Sequence, residues 1–167
     1  MGSAAAAIQY GTVAFFPAFA VGEWGLGAGT AALLLGAGRA LSVPGKALSG
    51  HASDEHGPLS TAGWLGALLV VLGSAWMVAP SAWWGAVPAV GFVATVGSLF
   101  PVANLLAFDA FGNRGPLLGT FRSVQMGAGA VVAASIGAGA QTVGLRPTLL
   151  VTLVAPLALA LARHRSL

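Results

Sequence analysis

Gly57 to Phe108 reads GPLSTAGWLGALLVVLGSAWMVAPSAWWGAVPAVGFVATVGSLFPVANLLAF and contains no charged residue. As one straight α-helix, at 1.5 Å per residue, it would be about 78 Å long. The hydrocarbon core of a bilayer is about 30 Å thick and takes roughly 20 apolar residues. The stretch therefore folds back on itself. Proline ends a helix, so the turn is expected at Ala79-Pro80-Ser81. Trp83 and Trp84 follow it, at the headgroup level that tryptophan prefers. Two spans result, at about 59–79 and 82–106. The runs are too long for strands, and Ala, Leu and Gly outnumber alternating β-branched residues.

The same reading extends in both directions. Upstream, Ala4 to Gly22 is uncharged and forms a span at about 4–22, and Glu23-Trp24-Gly25 is a short polar break. A second span at about 26–48 carries Arg39, Pro44 and Lys46. The most polar segment, Ser49 to Pro58, holds His51, Asp54, Glu55 and His56 and reads as a loop. Downstream, Asp109 to Pro116 is rich in turn formers. Spans at about 117–140 and 148–162 follow, with a turn at Gln141 to Pro147, and the sequence closes on a basic Arg163-His164-Arg165 tail. The expectation is an all-α, polytopic bundle of six spans forming a single transmembrane domain over residues 1–167. Four or five spans, with the first or last segment lying in the interface, is the alternative.

Composition supports lipid as the solvent. Of 167 residues 57% are hydrophobic and 7% charged, with a mean hydropathy of +0.87. A soluble domain carries about 25% charged residues to face water. The pI near 10.7 reflects a net charge of only +3, with the cations spread out at the ends of apolar runs, so no nucleic-acid partner is expected. The absence of cysteine excludes disulfides. Met1-Gly2-Ser3-Ala4 lacks the basic region of a signal peptide, and the first apolar run reads as a retained helix.

With six spans both termini share a face. Placing it in the cytoplasm puts Lys46, Arg114, Arg163 and Arg165 inside and Arg146 outside, which satisfies the positive-inside preference. Small residues let helices approach closely in lipid. Candidate ridges are Gly129, Ala133 and Gly137, flanked by Ala130, Ala134 and Ala138. Others are Ala14, Ala18 and Gly22, and Gly63, Ala67 and Ala75. Pro17, Pro44, Pro88, Pro101 and Pro156 fall inside spans and free carbonyls there.

Gly50-His51-Ala52-Ser53-Asp54-Glu55-His56-Gly57 sits between the second and third spans. Its Gly50, Asp54 and Gly57 spacing resembles the signature loop of the major facilitator superfamily, which joins those same helices in each six-helix half. Gly38-Arg39 and Pro44-Gly45-Lys46 resemble the approach to that loop. Asp109 to Gly115 and Leu118 to Gln125 resemble the loop and fifth helix of such a half. Glu55 and His56 stand where basic residues usually follow the aspartate, and Pro58 follows the last glycine, which implies a weaker charge network at the cytoplasmic gate. The basic tail after the sixth span points to the C-terminal half. The resemblance implies a transporter of about twelve helices in two pseudo-symmetric halves of 3+3 repeats. Substrate would lie between the halves near mid-membrane, with alternating access by rocking. The second half would be another copy or a separate chain.

The resemblance makes Gly50, Asp54 and Gly57 the candidate cytoplasmic gate. Asp54 would latch onto the start of the fifth helix of the opposite half, near residues 113–118, where free N–H groups favour an anion. Otherwise it is a solvated loop acid. Arg39 lies about a dozen residues into the second span, where facing lipid would cost about 2.5–3.5 kcal/mol. It is a substrate or anion contact, a partner for Asp54, or a cation snorkelling to headgroups. Arg122 faces a cavity or the headgroups. Asn104, Gln125, Gln9 and Tyr10 line a cavity or bond between helices. Glu23 is a candidate proton carrier or a wet surface acid.

No cofactor is implied. The His-x-x-Glu-His zinc pattern is missed by one residue, so no metal is expected. Phosphate-loop, dinucleotide and nucleophile-elbow motifs are absent, and no nucleophile–base pair suggests an enzyme or any catalytic residue. The expected function is secondary active transport of a small molecule in the plasma membrane. The resemblance implies proton-coupled efflux. The alternative is a non-transporting membrane scaffold or a truncated, inactive half.

Overall fold

The computed structural model describes residues 11–112 and 114–153, and all regular structure within them is helical. A π-helical turn at 11–13 leads into α1 (Ala14–Trp24), followed by α2 (Ala28–His56), α3 (Pro58–Val78), α4 (Ala82–Phe111) and α5 (Gly115–Val143). The sixth helix, α6, begins at residue 145 and is described to 153. Residues 4–10 of the first predicted span and 154–162 of the last, with Gln9, Tyr10 and the basic tail, lie outside the described residues.

Both breaks that rest on backbone chemistry fall where expected. α1 stops at Trp24 because Gly25 adopts a left-handed conformation (φ 67°), and the Leu26 N–H closes on the Ala20 carbonyl at 3.2 Å. α3 stops at Val78, before Ala79-Pro80-Ser81. The polar segment after the second span is different. It is not a loop: α2 continues eight residues beyond Leu48, through Gly50 and Asp54, to His56. Polarity does not break a helix, and α2 runs unbroken even through Pro44 and Gly50; it ends only where Gly57 leaves the helical conformation. Here Ser53 Oγ donates to the Ser49 carbonyl at 2.7 Å, and His51 Nε2 lies 3.2 Å from Glu55 Oε1 one turn on. The turn is the single residue Gly57, whose φ of 83° and ψ of 147° favour glycine, with Pro58 at the start of α3.

α3, α4 and α5 are each long and apolar enough to cross a membrane. α2 has the length but carries Arg39, Lys46 and its polar last turns. α3 is apolar around its whole circumference, yet only 33% of its most apolar window is buried, and for α5 the figure is 11%. Leu33, Trp64, Val71, Trp83, Val87 and Val131 all stand exposed. A soluble monomer rarely exposes so continuous an apolar surface. Lipid or further protein is the surrounding such a surface suits.

α2 and α4 run parallel and form the tightest seam. Gly38, Ser42, Gly45 and Ser49 recur at spacings of four, three and four, which places them on one face of α2. Across the seam stand Val93, Gly97 and Ser98. A methyl group at Gly38 would lie 2.6 Å from Val93 Cβ; one at Gly97 would strike Ser42, and one at Gly45 would strike Ser98. Ser49 Oγ donates to the Ser98 carbonyl at 2.8 Å, a buried bond between the two helices. This is small-residue packing, on a face that was not among the ridges expected from sequence, and the expected ridges of α1 and α3 do not pack. Ala14, Ala18 and Gly22 are exposed, as are Gly63, Ala67 and Ala75. On α5 the expected ridge does turn inward: Gly129 is buried, Ala133 and Gly137 are half-buried, and a methyl group at Gly137 would lie 3.8 Å from Phe15, while the flanking Ala130, Ala134 and Ala138 face outward.

The largest buried side chain is Trp76, at the end of α3. Phe16, Phe19 and Trp24 meet it edge-on, at centroid distances of 5.6, 4.8 and 6.3 Å, and Phe92 approaches at 5.9 Å. These rings fill the end of the bundle where the α1–α2, α3–α4 and α5–α6 turns gather. Trp24 Nε1 donates to the Ala79 carbonyl at 3.3 Å. Arg146 bonds the same carbonyl at 3.4 Å, lies 5.5 Å above the Phe19 ring, and pairs through Nε with Glu23 Oε2 at 3.2 Å.

Candidate functional site

Beside the α2–α4 seam, toward the α2–α3 and α4–α5 turns, lies a cleft of about 350 Å³. Its position follows from helical registry. Arg39 and Lys46 are seven residues apart, two turns along one face of α2, and each directly follows a seam glycine. Gly97, Pro101 and Asn104 repeat at spacings of four and three on α4, with Phe100 beside them. Arg122 enters from α5. By helical rise Asn104 and Arg122 lie about 10 Å from the near helix ends, Lys46 about 15 Å and Arg39 about 25 Å, so the cleft reaches well into the bundle.

Three of the four residues expected to contact substrate or carry charge, Arg39, Asn104 and Arg122, line this one cleft. The fourth, Gln125, stands one turn beyond Arg122 on α5. It is 2% exposed, and its Oε1 accepts a hydrogen bond of 3.1 Å from Arg122 Nη1. A buried amide thus orients the guanidinium. Lys46 completes the set. In sequence it marks orientation and belongs to the approach to the gate loop; its seven-residue spacing from Arg39 also sets it on the same face of α2.

The electrostatics are one-sided. The chain has four acidic residues: Glu23, Asp54, Glu55 and Asp109. None lines the cleft. Glu23 is held by Arg146 at the aromatic end, and Glu55 by His51. Among the described residues no carboxylate is within ion-pair distance of Arg39, Lys46 or Arg122. Pro101 adds an acceptor: lacking an N–H, it leaves the Gly97 carbonyl without its usual helical donor.

The proposed gate residues are not gathered into a loop. Gly50 and Asp54 sit on the last two turns of α2, and Gly57 forms the turn. Asp54 is exposed and makes no ion pair or side-chain hydrogen bond among the described residues. A second, wider cleft of about 530 Å³ lies on the opposite flank of the seam. It is mostly apolar, lined by Leu41, Leu48, Trp64, Leu65 and Leu68, with His56 at its rim.

Comparison of the chain with family models, with curated protein sequences and with solved structures returns no match in any of the three.

Proposed function

We propose that this chain is one six-helix half of a secondary active transporter, working by alternating access. Its small-molecule cargo would be taken into the cleft formed by Arg39, Lys46, Asn104 and Arg122. The observation that carries the reading is that cleft: three cations facing one space between helices whose outer surfaces are apolar. The three side chains are exposed in the isolated chain, and cations at membrane depth that line a cleft rather than reach headgroups mark substrate or ion paths. Aromatic packing fills the far end of the bundle while the polar cleft lies toward the other, as one face of an alternating-access cavity requires.

In this reading the bundle has six spans in a plasma membrane, with both termini cytoplasmic and the cleft toward the cytoplasm. The spacing of Gly50, Asp54 and Gly57 and the short-loop layout are the features that resemble a major facilitator half. Efflux driven by proton entry is the form of transport that resemblance implies. A second half, another copy or a separate chain, would cover the cleft, and Asp54 at the tip of α2 would meet the start of α5 in it.

Purified chain reconstituted in liposomes loaded with a panel of small radiolabelled solutes tests the proposal. Release of at least one solute should be faster than from liposomes holding the Arg39→Gln, Arg122→Gln protein. Equal release across the panel, with the protein folded and dimeric, would make the chain a scaffold instead.

A further inference from the structure

We propose that the cleft is a site for a doubly charged oxyanion, of the phosphomonoester or dicarboxylate kind, and that such a small organic dianion is the cargo. The cargo assignment rests on the transport reading above; the binding site does not.

The argument begins from charge balance. Arg39, Lys46 and Arg122 line one cleft, and none of the four acidic side chains does. Arg39 and Lys46 make no side-chain hydrogen bond or ion pair among the described residues. All three side chains are exposed in the isolated chain; like charges beside a low-dielectric wall still repel one another more than in bulk water, and the more so once a second half covers the cleft. An arrangement of that kind is relieved by an anion, and a dianion relieves it more completely than a monoanion. A cation or a neutral solute leaves it unrelieved.

Geometry narrows the class. Arg39 and Arg122 stand on different helices with Cα atoms about 15 Å apart in depth, so their two forks reach one dianion only with both side chains extended toward each other, while Lys46, between them in depth, supplies a point charge. Gln125, buried behind Arg122, holds that guanidinium's orientation before any ligand arrives. The remaining wall is not cationic. Phe100 offers an apolar face, Asn104 an amide, and Gly97 a carbonyl freed by Pro101. These suit the body of an organic molecule carrying a hydroxyl or similar donor. At about 350 Å³ the cleft stands at the small end of ligand pockets, which run from about 300 to 1,000 Å³.

A phosphate-type oxyanion can come from solution or from a lipid headgroup. The proposal commits to the soluble source. The cleft's lining is polar in the main, whereas the acyl chains of a lipid would need an apolar continuation, and the apolar cleft lies on the other flank of the α2–α4 seam.

Titration calorimetry on the full chain in phosphatidylcholine nanodiscs at pH 8 tests the site without requiring transport. Phenyl phosphate and succinate, both dianions there, should bind saturably. Methyl phenyl phosphate, a monoanion, should bind at least ten-fold more weakly, and choline not at all. Arg39→Gln and Arg122→Gln should each weaken phenyl phosphate about ten- to a hundred-fold. Arg39→Lys should recover part of the loss, since it keeps charge and gives up the fork. Arg114→Gln, a cation outside the cleft, should leave binding unchanged, which separates the site from general basicity. Equal binding of the monoanion and dianion, or binding indifferent to Arg39 and Arg122 in folded protein, would overturn the proposal. So would loss of phenyl phosphate binding in nanodiscs containing phosphatidic acid, which would identify a lipid headgroup as the occupant. Dianion binding without flux in liposomes would leave the site standing and remove the transporter. Flux of a neutral or cationic solute without dianion binding would do the reverse.

Discussion

Replacing Gly38 by alanine tests how closely α2 and α4 are joined. The added methyl would lie 2.6 Å from Val93 Cβ, 2.8 Å from Val93 Cγ1 and 3.0 Å from the Val90 carbonyl oxygen. Carbon pairs prefer about 3.5–4.0 Å, so the helices must separate by about 1 Å. Ser49 Oγ to the Ser98 carbonyl, 2.8 Å at present, then exceeds hydrogen-bonding distance. Such an interhelical bond contributes about 0.6 kcal/mol, and overpacking a close contact typically costs about 1–3 kcal/mol. Alanine returns up to about 1 kcal/mol as the better helix former. The net loss is about 0.6–2.6 kcal/mol. At roughly 2–4 °C per kcal/mol for a chain of this size, the midpoint of thermal unfolding in detergent should fall by about 1–10 °C. Gly36, one half-turn away with nothing within 4 Å, is the matched control, and Gly36→Ala should hold or raise the midpoint. Equal midpoints for the two variants would refute the seam.

Three further outcomes follow from the same geometry. Gly57→Ala should destabilise by about 1–3 kcal/mol, because φ 83° with ψ 147° is close to glycine-only territory; an unchanged midpoint would mean the α2–α3 turn differs. Trp76→Ala should remove about 3–5 kcal/mol, since the ring is fully buried among four other aromatics; near-UV circular dichroism should flatten with it. A double-mutant cycle on Glu23→Gln and Arg146→Gln should return a coupling of about 0.5–1 kcal/mol, modest because both side chains are about one-third exposed. Strict additivity would show that the ion pair does not hold that end.

Much of the helix order was legible because its punctuation is chemical. Gly25 and Pro80 mark their turns through backbone restrictions, although Pro17, Pro44, Pro88 and Pro101 lie inside helices and show that such a residue turns the chain only where an apolar run must end. The end of α2 was not legible from polarity. His51 to His56 looks like a loop by composition, but nothing there prevents helical hydrogen bonding until Gly57. The ridges of α1 and α3 were misjudged for a related reason, whereas Gly129, Ala133 and Gly137 on α5 do turn inward. Alanine and glycine are so frequent that spacing alone cannot single out a contact, and the actual seam uses serine alongside glycine, with Ser49 bonding across it. The cleft was half legible. Arg39 and Arg122 stood out as cations within apolar runs, whereas Lys46 lies close enough to a span end to pass as a headgroup contact. Reading Arg39–Lys46 and Gly97–Pro101–Asn104 as heptad-spaced faces joins them. That α2 meets α4 along those faces is a tertiary fact which no local pattern contains.

The central claim is that hydrocarbon surrounds the exposed apolar faces while the turns reach water on alternate sides. Because the chain has no cysteine, single cysteines labelled with a membrane-impermeant maleimide report this without background. In sealed vesicles, cysteines at Asp54 and Gly112 should react from one side and those at Pro80 and Gly144 from the other. Cysteines at Val71 and Val131, exposed by 64% and 67% in the isolated chain, should stay unlabelled from both. Rapid labelling at Val71 or Val131, or labelling of all four turns from one side, would contradict the account.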